Sequence, residues 1–197
     1  MKVNLFRFTP TTEVEGPGVR ACIQVQGCPI RCLECGVPQT WSKRGGKIVD
    51  SNNLIKEILE GPAVEGVTFL GGEPFTQASV LAYIAKELKN NGLSVVTFTG
   101  YTLEFLQESK RPDYDDLLEQ TDLLIDGPFK KEYFDLSRPW VGSKNQRYHF
   151  LTTRYLHLSD VLENIPNRVE VRIKTDGSIF ISGLSVVDDM HYLIDNK

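Results

Sequence analysis

Long hydrophobic runs are missing from this sequence. A membrane-spanning helix needs about 20 consecutive, mostly apolar residues, and no window supplies them. Residues 1–18 have neither an apolar stretch nor a small-residue cleavage site, so no secretory leader is expected and a cytoplasmic location is. Positive charge is also short: 22 Lys plus Arg stand against 26 Asp plus Glu, a formal charge of −4. Proteins that grip a nucleic-acid backbone displace counterions with a basic excess. Nucleic acid is therefore not expected as a main partner, and neither is a membrane. Glycine and proline, 16 and 10 of 197 residues, are near average, which excludes collagen-like and low-complexity chains. Histidine is scarce at three residues, and cysteine numbers four.

The four cysteines are unevenly placed: Cys28, Cys32 and Cys35 fall within eight residues. In a reducing compartment, thiols packed that closely hold a metal or a cluster more often than they form disulfides. A structural zinc site needs four ligands. A Cys₃His site would have to recruit His149, His157 or His191, all far along the chain. Three thiolates on one tight loop suit a four-iron cluster better, because they bind three irons and leave the fourth open. Ordinary electron-transfer clusters use four cysteines. Cys22 is the remaining candidate and is expected to be a bystander in a strand. A zinc site or a redox-labile thiol loop is the alternative.

Around that cluster the sequence alternates short apolar runs with amphipathic segments, the pattern of strand–helix units and a mainly parallel sheet. The first strand is expected over 19–26, with Val19, Ala21, Ile23 and Val25 on one face and Arg20, Cys22, Gln24 and Gln26 on the other. Further strands are expected over 66–71, 93–99, 122–126 and 146–151. Helices are expected near 53–59, 77–90, 103–108 and 114–120. Residues 129–145 read as irregular. Asp176-Gly177 between two apolar runs predicts a hairpin of 169–173 with 179–182, and 186–194 suggests a terminal helix. Glycines close the strands at Gly27, Gly71, Gly100 and Gly127, and α/β folds place their chemistry at the carboxyl ends of strands. A complete eight-unit barrel takes about 250 residues. This shorter chain predicts an α/β fold: a partial, open (β/α)6 TIM-like barrel with the cluster loop after the first strand. One domain over 1–197 is expected, with an N-terminal extension at 1–18 and a C-terminal hairpin and tail at 168–197.

The C-x3-C-x2-C spacing directly after a strand ending in glycine resembles the radical S-adenosylmethionine superfamily. Gly71-Gly72-Glu73-Pro74 stands where that superfamily has its Gly-Gly-Glu motif. Gly16-Pro17-Gly18-Val19-Arg20 resembles the G-P-G-x-R entry of glycyl-radical-enzyme activases, and Pro38-Gln39-Thr40-Trp41 their P-x-T-W. Thr99-Gly100-Tyr101-Thr102, Asp126-Gly127-Pro128-Phe129 and Gly142-Ser143-Lys144-Asn145-Gln146-Arg147 resemble stretches of the anaerobic ribonucleotide reductase activases. The likeness runs from about residue 4 to residue 183. The chain departs from the pattern at Glu34, where an aromatic residue is usual, at Gly36-Val37, where C-x-N is usual, and at Val141, where Arg is usual.

The resemblance implies a [4Fe-4S] cluster on Cys28, Cys32 and Cys35, with S-adenosyl-L-methionine on its open iron. It implies reductive cleavage to a 5′-deoxyadenosyl radical and hydrogen abstraction from a partner polypeptide, installing a glycyl radical. A peptide-modifying enzyme acting on a precursor peptide and a non-catalytic metal or cluster scaffold are the rival readings. An electron donor such as flavodoxin or ferredoxin is implied. Gly71, Gly72 and Glu73 are expected around the methionine moiety, the glycines by letting the backbone approach it and Glu73 by supporting its ammonium group. Glu34 and Gly36 are expected near adenine, Thr99 near ribose or carboxylate, and Asp126 at the mouth. Arg20 is expected either to steer the carboxylate or to brace the loop.

Overall fold

The computed structural model describes residues 1–173 and 175–184. The expected terminal helix at 186–194 lies outside them, as does His191. The strands are β1 (Lys2–Thr12), β2 (Arg20–Val25), β3 (Lys47–Asp50), β4 (Gly66–Gly71), β5 (Ser94–Phe98), β6 (Leu123–Asp126), β7 (Arg147–Phe150), β8 (Val169–Ile173) and β9 (Ile179–Gly183). The helices are α1 (Ser51–Glu60), α2 (Ala78–Asn90), α3 (Leu103–Glu108) and α4 (Pro112–Gln120). Asp50 caps α1 by accepting from Asn52 N, and Thr102 caps α3 by accepting from Phe105 N. These short polar caps satisfy backbone donors that have no partner inside the helix.

Seven strands form one mixed sheet in the order β3-β1-β2-β4-β5-β6-β7. β2, β4, β5 and β6 are parallel neighbours, and β1, β3 and β7 run antiparallel beside them. The α/β class therefore holds. The count of six β/α units does not describe this sheet, which has four parallel strands in a row with antiparallel strands at both flanks. The expected first strand is the second in the chain. β1, which falls in the expected N-terminal extension, lies inside the sheet and buries Val3 and Leu5. Its register shifts between Leu5 and Arg7, so Phe8 returns to the face of Leu5 and the period-2 signal is broken.

Strand alternation sorts the sheet into two faces. Ala21, Ile23, Val25, Val67, Phe69 and Val95 join the main core with Leu54 and Ile58 of α1, Leu81, Ile84 and Leu88 of α2, and Leu117 of α4. The other face carries Cys22, Thr68, Val96 and Leu123 in one row. Arg7, Gln24 and Leu70 form the next row toward the carboxyl ends of the parallel strands, and Phe98, Ile125 and Tyr148 continue it. A second core of Val96, Leu123, Ile125, Val141 and Tyr155 covers part of this inner face, with Trp140, Phe150 and Leu158 against it. The β8–β9 hairpin covers another part: Thr12 Oγ1 donates to Glu170 at 2.7 Å, and Arg7 lies over the Phe180 ring at 5.1 Å. Among the described residues no helix is long and apolar enough to cross a membrane.

Candidate functional site

The carboxyl ends of the four parallel strands bring the expected motifs to one edge of the sheet. The cysteine loop leaves β2, Gly71-Gly72-Glu73 leaves β4, Thr99-Gly100 follows β5, and Asp126-Gly127 ends β6. Gly27 N donates to Thr40 O at 2.7 Å and Cys28 N to Trp41 O at 3.1 Å, closing the loop at its base. Gln26 Nε2 donates to Gln39 O and Ser42 O, holding the loop's return limb. Gln77 Oε1 accepts from Asn4 N, and its Nε2 donates to Asn4 O and Gln26 O, locking β1 to the start of the loop. Arg31 and Glu34 adopt left-handed backbone conformations, φ 53° and 58°, unusual for residues with side chains. The turn they make directs the Ile30 and Arg31 backbone N–H groups at the Cys28 sulfur.

All three cysteines of the loop are half-buried. Burial pushes the Cys28 and Cys32 thiols up, and each also feels Cys35. The Phe129 backbone N–H on the Cys32 sulfur acts the other way. Among the described residues, no three Cys, His, Asp or Glu side chains converge as ligands of one metal ion. A cluster makes a different demand, since each thiolate binds its own iron and the sulfurs need not meet at one point. Three mutually sensing thiols on a braced loop, with backbone donors aimed at the sulfurs, fit that donor chemistry. Cys22 is buried on the inner face and stands apart from the loop, next to Glu15 and Arg7.

Glu73 is 1% exposed, and among the described residues no basic side chain pairs with it. Its Oε1 accepts from Phe75 N at 3.0 Å and Thr99 Oγ1 at 2.8 Å, and its Oε2 accepts from Gly100 N at 2.9 Å. Burial nevertheless raises its pKa to about 7. This arrangement suits a carboxylate that receives a cation, because added positive charge would offset the desolvation. Thr99 thus touches Glu73, and its hydroxyl also accepts from Tyr101 N.

The other expected residues are placed as follows. A Cβ at Gly72 would stand 2.4 Å from Gly27 O, and one at Gly71 2.7 Å from Val25 N. Both glycines are thus required where the β4 turn meets the end of β2, whatever else approaches them. Gly36 faces open space, and exposed Glu34 pairs with Lys131. Asp126 is fully buried and committed within the protein: it accepts from Leu103 N at 2.7 Å and from Arg147 Nε and Nη2 at 3.0 and 2.6 Å. His149 Nε2 lies 3.0 Å from the same carboxylate but has no hydrogen-bond geometry. Arg20 is fully buried at the opposite end of the strands, bonded to Thr68, Val67 and Tyr155, so it braces the fold there.

Sequence reasoning missed the contribution of 128–133. This stretch places the Phe129 backbone N–H on Cys32 and Lys131 on Glu34. The D-G-x-F motif marked Phe129, but nothing in the sequence marked Lys131. Two cavities, of about 470 Å³ and 240 Å³, are lined by residues such as Thr12, Val14, Gly16 and Arg168, and neither includes a cysteine.

The family described as "4Fe-4S single cluster domain" matches residues 14–149. An anaerobic ribonucleoside-triphosphate reductase-activating protein of Vibrio cholerae is 30% identical over 158 residues, covering 76% of this chain and 99% of that protein. A pyruvate formate-lyase-activating enzyme of Clostridium pasteurianum is 35% identical over 118 residues, covering 57% of this chain and 46% of its own length. A pyruvate formate-lyase 1-activating enzyme of Escherichia coli K12 is 33% identical over 146 residues, covering 71% and 57%. The chain thus spans about half of the pyruvate formate-lyase-activating relatives and nearly all of the reductase-activating one.

Proposed function

We propose a function from the premise that this chain belongs to the 4Fe-4S single-cluster domain family, whose match runs over residues 14–149. The proposed activity is that of a radical S-adenosylmethionine enzyme that takes a hydrogen atom from a partner polypeptide and so installs a glycyl radical. The near-complete coverage of a reductase-activating protein favours an anaerobic ribonucleotide reductase as the kind of partner. Cys28, Cys32 and Cys35 would hold the [4Fe-4S] cluster. Bound there, the cluster supplies one electron that cleaves the sulfonium S–C5′ bond of S-adenosylmethionine, giving methionine and the 5′-deoxyadenosyl radical that abstracts hydrogen.

The observation that carries this reading is Glu73: a buried carboxylate beside the cysteine loop, held by three donors and, among the described residues, paired with no cationic side chain. It is suited to the ammonium of S-adenosylmethionine, with Thr99 and the Gly100 N–H fixing its orientation. The Gly71-Gly72 turn sets the approach to it, and Gly36, open to solvent, leaves its backbone free toward adenine. A scaffold that only held metal would gain nothing from a buried, unpaired carboxylate, which costs stability. We read the sheet as a segment of barrel wall with the site at its carboxyl edge, the whole chain acting as one domain. A cytoplasmic location and a low-potential donor such as flavodoxin or ferredoxin complete the proposal.

Anaerobic reconstitution tests it. The protein should take up about four irons, as a three-thiolate cluster requires. After reduction it should release 5′-deoxyadenosine and methionine from S-adenosylmethionine. Cys28→Ala, Cys32→Ala and Cys35→Ala should lose the cluster, and Cys22→Ala should keep it. A colourless protein that binds only zinc under these conditions would refute the reading.

A further inference from the structure

We propose that Gln24 is a substrate-binding residue that selects a bare polypeptide backbone, its carboxamide hydrogen-bonding an N–H of a side-chain-free segment on the inner face of the sheet. This rests on the reading above that the substrate is a polypeptide.

Gln24 lies on β2, four positions before Cys28, on the face turned away from the helices. Its neighbours on that face of the strand have their polar needs met. Arg20 is bonded throughout its guanidinium, and Gln26 is held by Gln39 O and Ser42 O. Gln24 differs. It is 7% exposed, its side chain makes no hydrogen bond among the described residues, and its Oε1 is buried without a donor. A Cβ added at Gly71 would stand 2.8 Å from both Cα and Cβ of Gln24, so this residue packs directly against the turn that leads to Glu73. Gln24 therefore sits at the end of β2 between the start of the cysteine loop and the turn before Glu73.

The surroundings suit an apolar side chain. Leu70 is its strand partner on one side, and Phe98 and Ile125 continue the row. A buried carboxamide oxygen left without a donor is unfavourable, whereas a leucine or methionine there would leave no polar atom unmet. Among the described residues, the inner face is also incompletely covered at this level. The hairpin reaches Arg7 through Phe180, and Trp140 and Tyr155 belong to the cover over Val96 and Ile125. Between them, Leu70 and Phe98 are only half-buried. A segment entering that gap meets Gln24 between Arg7 on one side and the apolar run of Leu70, Phe98 and Ile125 on the other. A carboxamide carries one acceptor oxygen and an NH₂ donor, the complement of a peptide group. Glycine offers no side chain to grip, but its backbone can come close to the sheet because no Cβ intervenes. The arrangement thus reads backbone N–H and rejects bulk.

The test uses the reconstituted full-length protein and two capped tetraglycine peptides, one carrying N-methylglycine at a central position so that one N–H is removed. Binding is measured by equilibrium dialysis. The unmodified peptide should bind wild type about tenfold more tightly, a difference of about 1.4 kcal/mol. Gln24→Met, which keeps length and loses both polar atoms, should bind the two peptides equally. Gln24→Glu, which keeps an acceptor, should still discriminate. Circular dichroism checks that each variant is folded, and Gln24→Leu replaces Gln24→Met should that variant fail to fold. No binding by wild type, equal binding of the two peptides by wild type, or discrimination that survives in Gln24→Met would each overturn the proposal. Release of 5′-deoxyadenosine by wild type is followed in parallel. Release without discrimination removes Gln24 alone, whereas discrimination without release keeps Gln24 as a backbone reader and removes the proposed activity.

Discussion

Two carboxyls, buried Glu73 and half-buried Glu15, are each pushed by desolvation from 4.5 to about 7. Glu15 accepts one backbone N–H, from Gly183, and has Glu170 nearby. For an acid, a folded-state pKa above the unfolded value means that the native state holds its proton more tightly. Below about pH 4.5 both states are protonated and nothing is lost. Between about 4.5 and 7 the unfolded chain has released the proton and the folded chain has not, so stability falls as pH rises. The loss is complete above about pH 7 and amounts to at most about 3 kcal/mol per group. Urea midpoints of wild type should therefore fall between about pH 5 and 7.5. Glu73→Gln should start lower at pH 5, because an amide N–H then faces the Gly100 N–H, but should decline less steeply. Equal slopes in wild type and Glu73→Gln would show that the folded carboxyl titrates like an exposed one. Glu34 contrasts with these groups. Its charge points outward to Lys131, so the departure from an aromatic residue is met at the surface.

Among elements, the carboxyl end of β6 is tied to its neighbours through one carboxylate. Asp126 joins the start of α3, through Leu103 N, to Arg147 at the start of β7, and Arg147 reaches on to Glu104 of α3. That explains the D-G-x-F and N-Q-R stretches without a ligand: Gln146 Oε1 accepts from Gly142 N, and Asn145 Nδ2 donates to Pro128 O, folding 128–146 back on itself. Asp126→Asn should cost about 2 kcal/mol in a thermal or urea melt, less than the 3–5 typical of a broken buried pair because Arg147 is partly in water. Glu104→Ala should shift the midpoint far less, since an exposed pair is screened. A neutral effect of Asp126→Asn on stability would return this residue to the cofactor's side. The sequence made β2, β4, β5, β6, the four helices and the β8–β9 hairpin legible, because each has clean periodicity closed by glycine or a cap. β1 was not legible, since its bulge after Leu5 shifts the apolar face. The part Asp126 plays in joining α3 to β7 was not legible, because position at a strand end does not reveal a partner 21 residues away.

Across the whole molecule, the proposed site and the bracing sit at opposite ends of the parallel strands. The cysteine loop, Glu73 and Gln24 lie toward the carboxyl end. At the amino end, Arg20 Nη1 donates to Tyr155 OH at 2.7 Å, Nη2 to Val67 O at 2.6 Å and Nε to Thr68 Oγ1 at 2.7 Å, while Tyr155 OH reaches Glu65 Oε1 at 2.7 Å. This network joins β2, β4 and the segment after β7, so it closes the sheet against its inner-face cover. Burial lowers the Arg20 pKa, and the nearby Tyr155 and Glu65 oppose that shift. Tyr155 keeps Glu65 and Thr68 keeps Glu15 O without the guanidinium, but buried acceptors are left short of a donor, so Arg20→Met should cost about 1–3 kcal/mol, a sizeable share of the 5–15 that holds a typical domain. The separation of the two ends makes this variant a test of the site's location. In reconstituted Arg20→Met, urea should remove the visible absorbance of the cluster and the far-ultraviolet circular dichroism together, both at lower urea than in wild type, because the cluster is lost only when the fold is. Cys32→Ala should behave in the opposite way, with no cluster absorbance before urea is added and near-native circular dichroism. If Arg20→Met instead lost its cluster while its secondary structure stayed intact, Arg20 would act on the cysteine loop itself, and the division between a bracing end and a reactive end would be wrong.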